Sequence, residues 1–151
     1  MSGQIDKLKT LLRLRRRDVD RRAREAALAA AAVAAAEAAR TEAQRAAAAA
    51  RAQRERAFAD RLGAPADAHV AEYCGSCEQR VREATDAIGH AERAITEATD
   101  RAAAIRQHLR RAELRLEALS ARLREVVIKH RRSVERRLAD GHAVAGDMAW
   151  A

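Results

Sequence analysis

The chain has 151 residues, 41 of them alanine, with one Phe, one Tyr, one Trp and one Pro. That mixture excludes a thick globular core, which needs large side chains; with 34% charged residues it has the composition of long helices joined along a narrow seam. The net charge of +8 comes almost wholly from arginine, with Lys7, Lys9 and Lys129 the only lysines. This reflects either guanidinium chemistry toward an acidic partner or a GC-rich coding sequence.

Two cysteines cannot build a disulfide framework, so they give no argument for secretion. The N-terminus has no apolar h-region of a signal peptide. The longest uncharged apolar run, Ala26 to Ala36, is mostly alanine and far short of a membrane span. These features predict a soluble, cytoplasmic protein.

In chain order, residues 1–4 are expected to fray and a first helix to run over about 5–62. Ile5, Leu12, Val19, Ala26 and Val33 stand seven apart, and Leu8, Ala29, Ala36, Ala43, Ala50 and Ala57 supply the second position of the heptad. Arg15, Arg22, Arg40, Arg54 and Arg61 break this frame. Alanine supplies helix propensity in its place and lets two helix axes approach closely. Gly63 suits a left-handed residue past the helix end, and Pro65 follows two residues later. A tip loop is therefore predicted over about 63–67. Asp67 is the expected N-cap of the second helix, and Ser76 with Gln79 is the competing capping box.

The second helix is predicted over about 68–140. From Cys77 to Val126 it holds an uninterrupted 3-4 spacing. Its a positions are Val81, Ile88, Ile95, Ala102, Leu109, Leu116 and Leu123. Its d positions are Cys77, Ala84, Ala91, Ala98, Ile105, Ala112, Leu119 and Val126. A spacing that averages 3.5 keeps one stripe against a partner helix as both supercoil. After Val126 the apolar residues shift to Val127, Val134 and Leu138, which predicts a loosened supercoil. Asp140 and Gly141 are expected to end the helix, leaving 141–151 as a flexible tail that includes Met148 and Trp150.

A short turn between long helices makes them antiparallel neighbours. The fold class expected is all-α, a long antiparallel two-helix coiled-coil hairpin, monomeric. With the turn near Ala64, residue i faces roughly residue 130 minus i, so Ile5 lies by Val126. A parallel dimer would have to carry Gly63 and Pro65 through mid-helix.

Signals for catalysis are sparse. Cys74-Gly-Ser-Cys77 could serve redox work or, with His69, part of a zinc site. It lacks the strand context of the first and the fourth ligand of the second. Both cysteines equally extend the seam as small apolar residues. His69, His90, His108, His130 and His142 are scattered, and no carboxylate pair or phosphate loop stands out. The expectation is a non-enzyme without cofactor or metal.

Charge is more informative. Residues 1–25 carry +5 and residues 121–140 carry +4, whereas residues 55–80 carry −2. A hairpin brings the two basic segments to one end. Nucleic acid is a usual partner of such a patch, but no aromatics interleave the arginines, and Asp18, Asp20, Glu25 and Glu135 sit among them. Nucleic acid is therefore the secondary reading, alongside a generic coiled-coil scaffold or chaperone.

The opening Leu8-Lys9-Thr10-Leu11-Leu12-Arg13-Leu14-Arg15-Arg16-Arg17-Asp18, the Ala/Arg-rich heptads, the mid-chain break and the second long helix together resemble the YscO/FliJ family of type III secretion and flagellar export proteins, including its Hrp-type members. The resemblance implies an antiparallel coiled-coil stalk, similar to the γ subunit of rotary ATPases. Its terminal end would enter the pore of the hexameric export ATPase. It would also contact the large export-gate membrane protein and, in some members, secretion chaperones. The place implied is cytoplasmic, peripheral to the inner membrane. The family has no catalytic residues to carry over. The ATPase-facing surface would correspond to Lys7, Lys9, Arg13, Arg16 and Arg17, with Lys129, Arg131, Arg132, Val134, Arg136 and Leu138. The Cys74–Cys77 pair and the Met148–Trp150 tail have no counterpart in that pattern.

Overall fold

A computed structural model describes the backbone of residues 2–148 and the side chains of residues 3–139. Two helices account for it: α1, Ser2–Gly63, and α2, Ala68–Met148. They pack against each other as an all-α antiparallel hairpin, and no strand occurs among the described residues.

The turn is built from local chemistry. The amide of Ala64 donates to the carbonyls of both Asp60 and Arg61 at 3.2 Å, tightening the last turn of α1. The Asp67 amide then donates to the Ala64 carbonyl at 3.2 Å, closing a four-residue turn in which Pro65 takes the position that its fixed φ favours. Asp67 caps α2: its Oδ1 accepts from the amides of His69 at 2.8 Å and Val70 at 3.4 Å. Ser76, the competing cap, lies inside the helix.

Three expectations at helix ends need correction. Residues 2–4 are helical rather than frayed. Gly63 is the last residue of α1 and has no positive φ, so the bifurcated Ala64 amide, not a left-handed glycine, ends the helix. The second helix does not stop at Asp140 and Gly141 but continues to Met148. An interior glycine costs only about 1 kcal/mol relative to alanine, and no proline follows to force a stop. Residues 149–151 of the expected tail lie outside the described residues.

The heptad frame is fuller than the apolar pattern suggested. All fifteen a and d positions from Cys77 to Val126 are buried or half-buried. Beyond Val126 the frame does not drift. His130 and Ser133 hold the next a and d places and are half-buried, while Val127, Val134 and Leu138 are exposed. On α1 three of the five arginines do not break the frame either. Arg22, Arg40 and Arg54 are half-buried in it, Ala47 is buried, and only Arg15 and Arg61 are exposed. A long aliphatic stem can lie along the seam while its charged head reaches outward.

The chain divides into two compact units. One is Glu25–Ile105, which contains the turn. Its core is Ala57, Cys74 and Cys77 with Val70 packed on it. The Cys74 Sγ donates to the Ala57 carbonyl at 3.2 Å. Around this core Gln53 donates to the Tyr73 hydroxyl at 3.0 Å and accepts from Arg80 at 3.4 Å. The other unit joins Met1–Arg24 with Arg106–Ala151. Ile5, Ala112 and Val126 are its buried residues, with Leu8, Leu12, Val19, Leu109, Leu116, Leu119 and Leu123 half-buried beside them. Leucines thus line the seam of the terminal unit, whereas the fully buried residues of the turn unit are alanines and cysteines, with Val33, Val81, Ile88, Ile95 and Ile105 half-buried along its seam.

Candidate functional site

The terminal unit holds both basic segments. Lys7, Lys9, Arg13, Arg16 and Arg17 on α1 are exposed, as are Lys129, Arg131, Arg132, Val134, Arg136 and Leu138 on α2. Every residue named from the sequence as partner-facing therefore lies on the surface of one unit. In the hairpin α1 has 62 residues and α2 has 81, so α2 extends about 19 residues past the start of α1. The end of α2 from about His130 then has no facing helix, a stretch of about five turns to Met148.

Helical geometry sorts this extension into faces. At about 100° per residue, Val127, Val134 and Leu138 fall within roughly 40° of one another. Lys129, Arg132 and Arg136 fall on nearly the opposite side. Arg131 lies near the apolar sector, and its guanidinium is directed to Glu135 at 3.2 Å. Val134 is 41% and Leu138 60% exposed, large apolar side chains without cover.

Three of the acids between the cations, Asp18, Glu125 and Glu135, are engaged within their own helix. Asp18 accepts from Arg21 at 2.7 Å and Arg22 at 3.2 Å, and these hydrogen bonds hold its carboxyl below the usual carboxylate range. Glu125 accepts from Lys129 at 2.6 Å and Arg122 at 3.0 Å and is lowered for the same reason. Among the described residues, no carboxylate lies within ion-pair distance of Arg13, Arg16, Arg17 or Arg132.

Cys74 and Cys77 take seam positions with about 1% exposure, and both thiols are free. Among the described residues no three His, Cys, Asp or Glu side chains are grouped to hold a metal ion. No family model, curated protein or solved structure matches the chain.

Sequence reasoning missed two features. Ser133 and Arg137 join Lys129, Arg132 and Arg136 around one surface cleft. The signal was present as the helical spacing 129, 132, 133, 136, 137. The second feature is the exposure of Ile128, Leu11 and Leu14, large apolar side chains that fall outside the seam pattern.

Proposed function

We propose that the chain is a non-enzymatic stalk of a bacterial type III export apparatus, entering the pore of the hexameric export ATPase with its basic terminal unit and linking that ring to the export gate. The observation that carries the reading is the end of α2. It extends past the start of the shorter α1 and presents an apolar stripe on one side and cations on the other. A flat partner meets one side of a helix; an enclosing lumen meets both. Val127, Val134 and Leu138 would fill apolar contacts there, and Arg132 and Arg136 would meet acidic groups. The leucine-arginine opening from Leu8 to Asp18 supports the same partner through its resemblance to the YscO/FliJ family. Clustered charge on one unit steers encounter with an opposite potential and makes association salt-sensitive.

The test is a binding titration against the hexameric export ATPase at two salt concentrations. Arg131→Glu, Arg132→Glu and Arg136→Glu together should weaken binding and ATPase stimulation while helicity and melting remain near wild type. A matched triple on the turn unit, Arg51→Glu, Arg56→Glu and Arg82→Glu, should bind as wild type does. Unchanged affinity in the first triple rejects this end as the docking surface. Equal loss of DNA binding by both triples, with no affinity for the ATPase, supports a nucleic-acid binder acting through diffuse charge.

A further inference from the structure

Lys129, Arg132, Ser133, Arg136 and Arg137 line a single cleft on α2, and none of the lining residues is acidic. Their spacing of three, four, seven and eight residues from Lys129 places them on one continuous face. The two acids between Arg122 and Arg137 are directed mainly elsewhere. Glu135 pairs with Arg131, and Glu125 bridges Arg122 and Lys129 at the margin of the cleft. Arg132 and Arg136, four apart, repel each other on a helix surface, so an anion lodged between them relieves a standing cost.

The hydroxyl of Ser133 adds a second observation. Thr10, Thr41, Thr85, Thr96 and Ser120 each return their hydroxyl to the carbonyl four residues earlier. Among the described residues Ser76, Thr99 and Ser133 make no such bond, and of these three only Ser133 is half-buried. Ser133 lines the cationic cleft, and its hydroxyl is then available to an external acceptor.

Several chemical features select the ligand. Guanidinium forks match the oxygens of phosphate in pairs, and a neighbouring ammonium adds a point charge. The sequence has no Phe, Tyr or Trp between Tyr73 and Trp150, so stacking of bases lacks a broad platform along this stretch. From Lys129 to Arg137 the helix rises about 12 Å. That is the reach of a few linked phosphates rather than of a nucleic-acid duplex.

We propose that this cleft binds a small oligophosphate anion, held by Arg132 and Arg136 with Lys129, Arg137 and the Ser133 hydroxyl around it. The proposal does not rest on the stalk reading. Where both hold, oligophosphate and an acidic partner compete for Arg132 and Arg136.

The test uses the full chain and inorganic tripolyphosphate in a calorimetric titration. Parallel arms use vesicles of phosphatidylglycerol in phosphatidylcholine and a single-stranded oligonucleotide. Wild type should bind one tripolyphosphate per chain. Arg132→Gln with Arg136→Gln should weaken it at least tenfold, and Ser133→Ala about twofold. Arg16→Gln with Arg17→Gln, which removes the same charge from α1, should stay within twofold of wild type. Circular dichroism checks that all variants remain helical. The proposal is overturned by no binding in wild type, or by equal losses in the two arginine pairs. It is also overturned if vesicles or oligonucleotide bind through Arg132 and Arg136 more tightly than tripolyphosphate does.

Discussion

The thiol of Cys74 on α2 donates to the main-chain carbonyl of Ala57 on α1 at 3.2 Å, and both residues are essentially without solvent contact. Such proximity of a side chain to the opposing backbone requires the smallest residues at the contact, and alanine and cysteine provide them. Ala57→Leu should therefore destabilise the hairpin by about 1–3 kcal/mol through overpacking. Cys74→Val, close in volume but without the weak donor, should cost less than Ala57→Leu. Thermal melts followed by circular dichroism would check both, and a rise in melting temperature for Ala57→Leu would refute close packing at this layer.

Arg40 presents the opposite case. Its Nε is buried without a hydrogen-bond partner among the described residues, in an a position of α1. A buried donor left unmatched costs about 1–3 kcal/mol, and leucine matches arginine in helix propensity. Arg40→Leu should raise the melting temperature. A fall would mean that the guanidinium contributes more through its outer nitrogens than its Nε loses.

These residues also show how far the fold was legible in the sequence. The 3-4 spacing from Cys77 to Val126 was readable because apolar residues occupy every seam place, and all fifteen are covered. Asp67 was readable as a cap because a carboxylate two and three residues before free amides has one obvious use. The α1 frame was harder to read. Arg22, Arg40 and Arg54 look like interruptions in a one-dimensional pattern, yet their stems occupy seam positions in space. The end of α2 was not legible because Gly141 has two physical roles, a stop where the chain must reverse and a mere weakness where it need not. As to the candidate site, charge alone marked the terminal segments, but the cleft around Ser133 depends on how side chains converge along the helix.

The acid side of the pH profile follows from Asp18 and Glu125. Hydrogen bonds from Arg21 and Arg22, and from Lys129 and Arg122, lower their carboxyl pKa values in the folded chain. A carboxyl lowered on folding contributes stability that is present above its unfolded pKa and is lost as pH falls through its folded pKa. Asp18 is half-buried and Glu125 exposed, and both ion pairs border solvent, so the effect is small and screened by salt. Asp18→Asn should lower the melting temperature slightly at neutral pH, with the difference vanishing on acidification and in high salt. A difference that persists in acid would mean that Asp18 acts through its shape rather than its charge.

His130 and Ser133 continue the heptad frame of α2 but replace its apolar residues, where the longer α2 begins to outrun α1. An apolar seam carried past that point would have no helix of the same chain to cover it. His130→Leu with Ser133→Leu would extend the seam from Leu123 and Val126 by another heptad. Without a facing helix, the added leucines gain little stability within one chain, and their exposed stripe favours pairing with a second copy. The expected outcome is concentration-dependent self-association in sedimentation equilibrium, with a melting temperature that rises only as protein concentration rises. A large, concentration-independent rise in melting temperature would instead place a segment of the same chain over His130 and Ser133, and the unpartnered end of α2 would not exist.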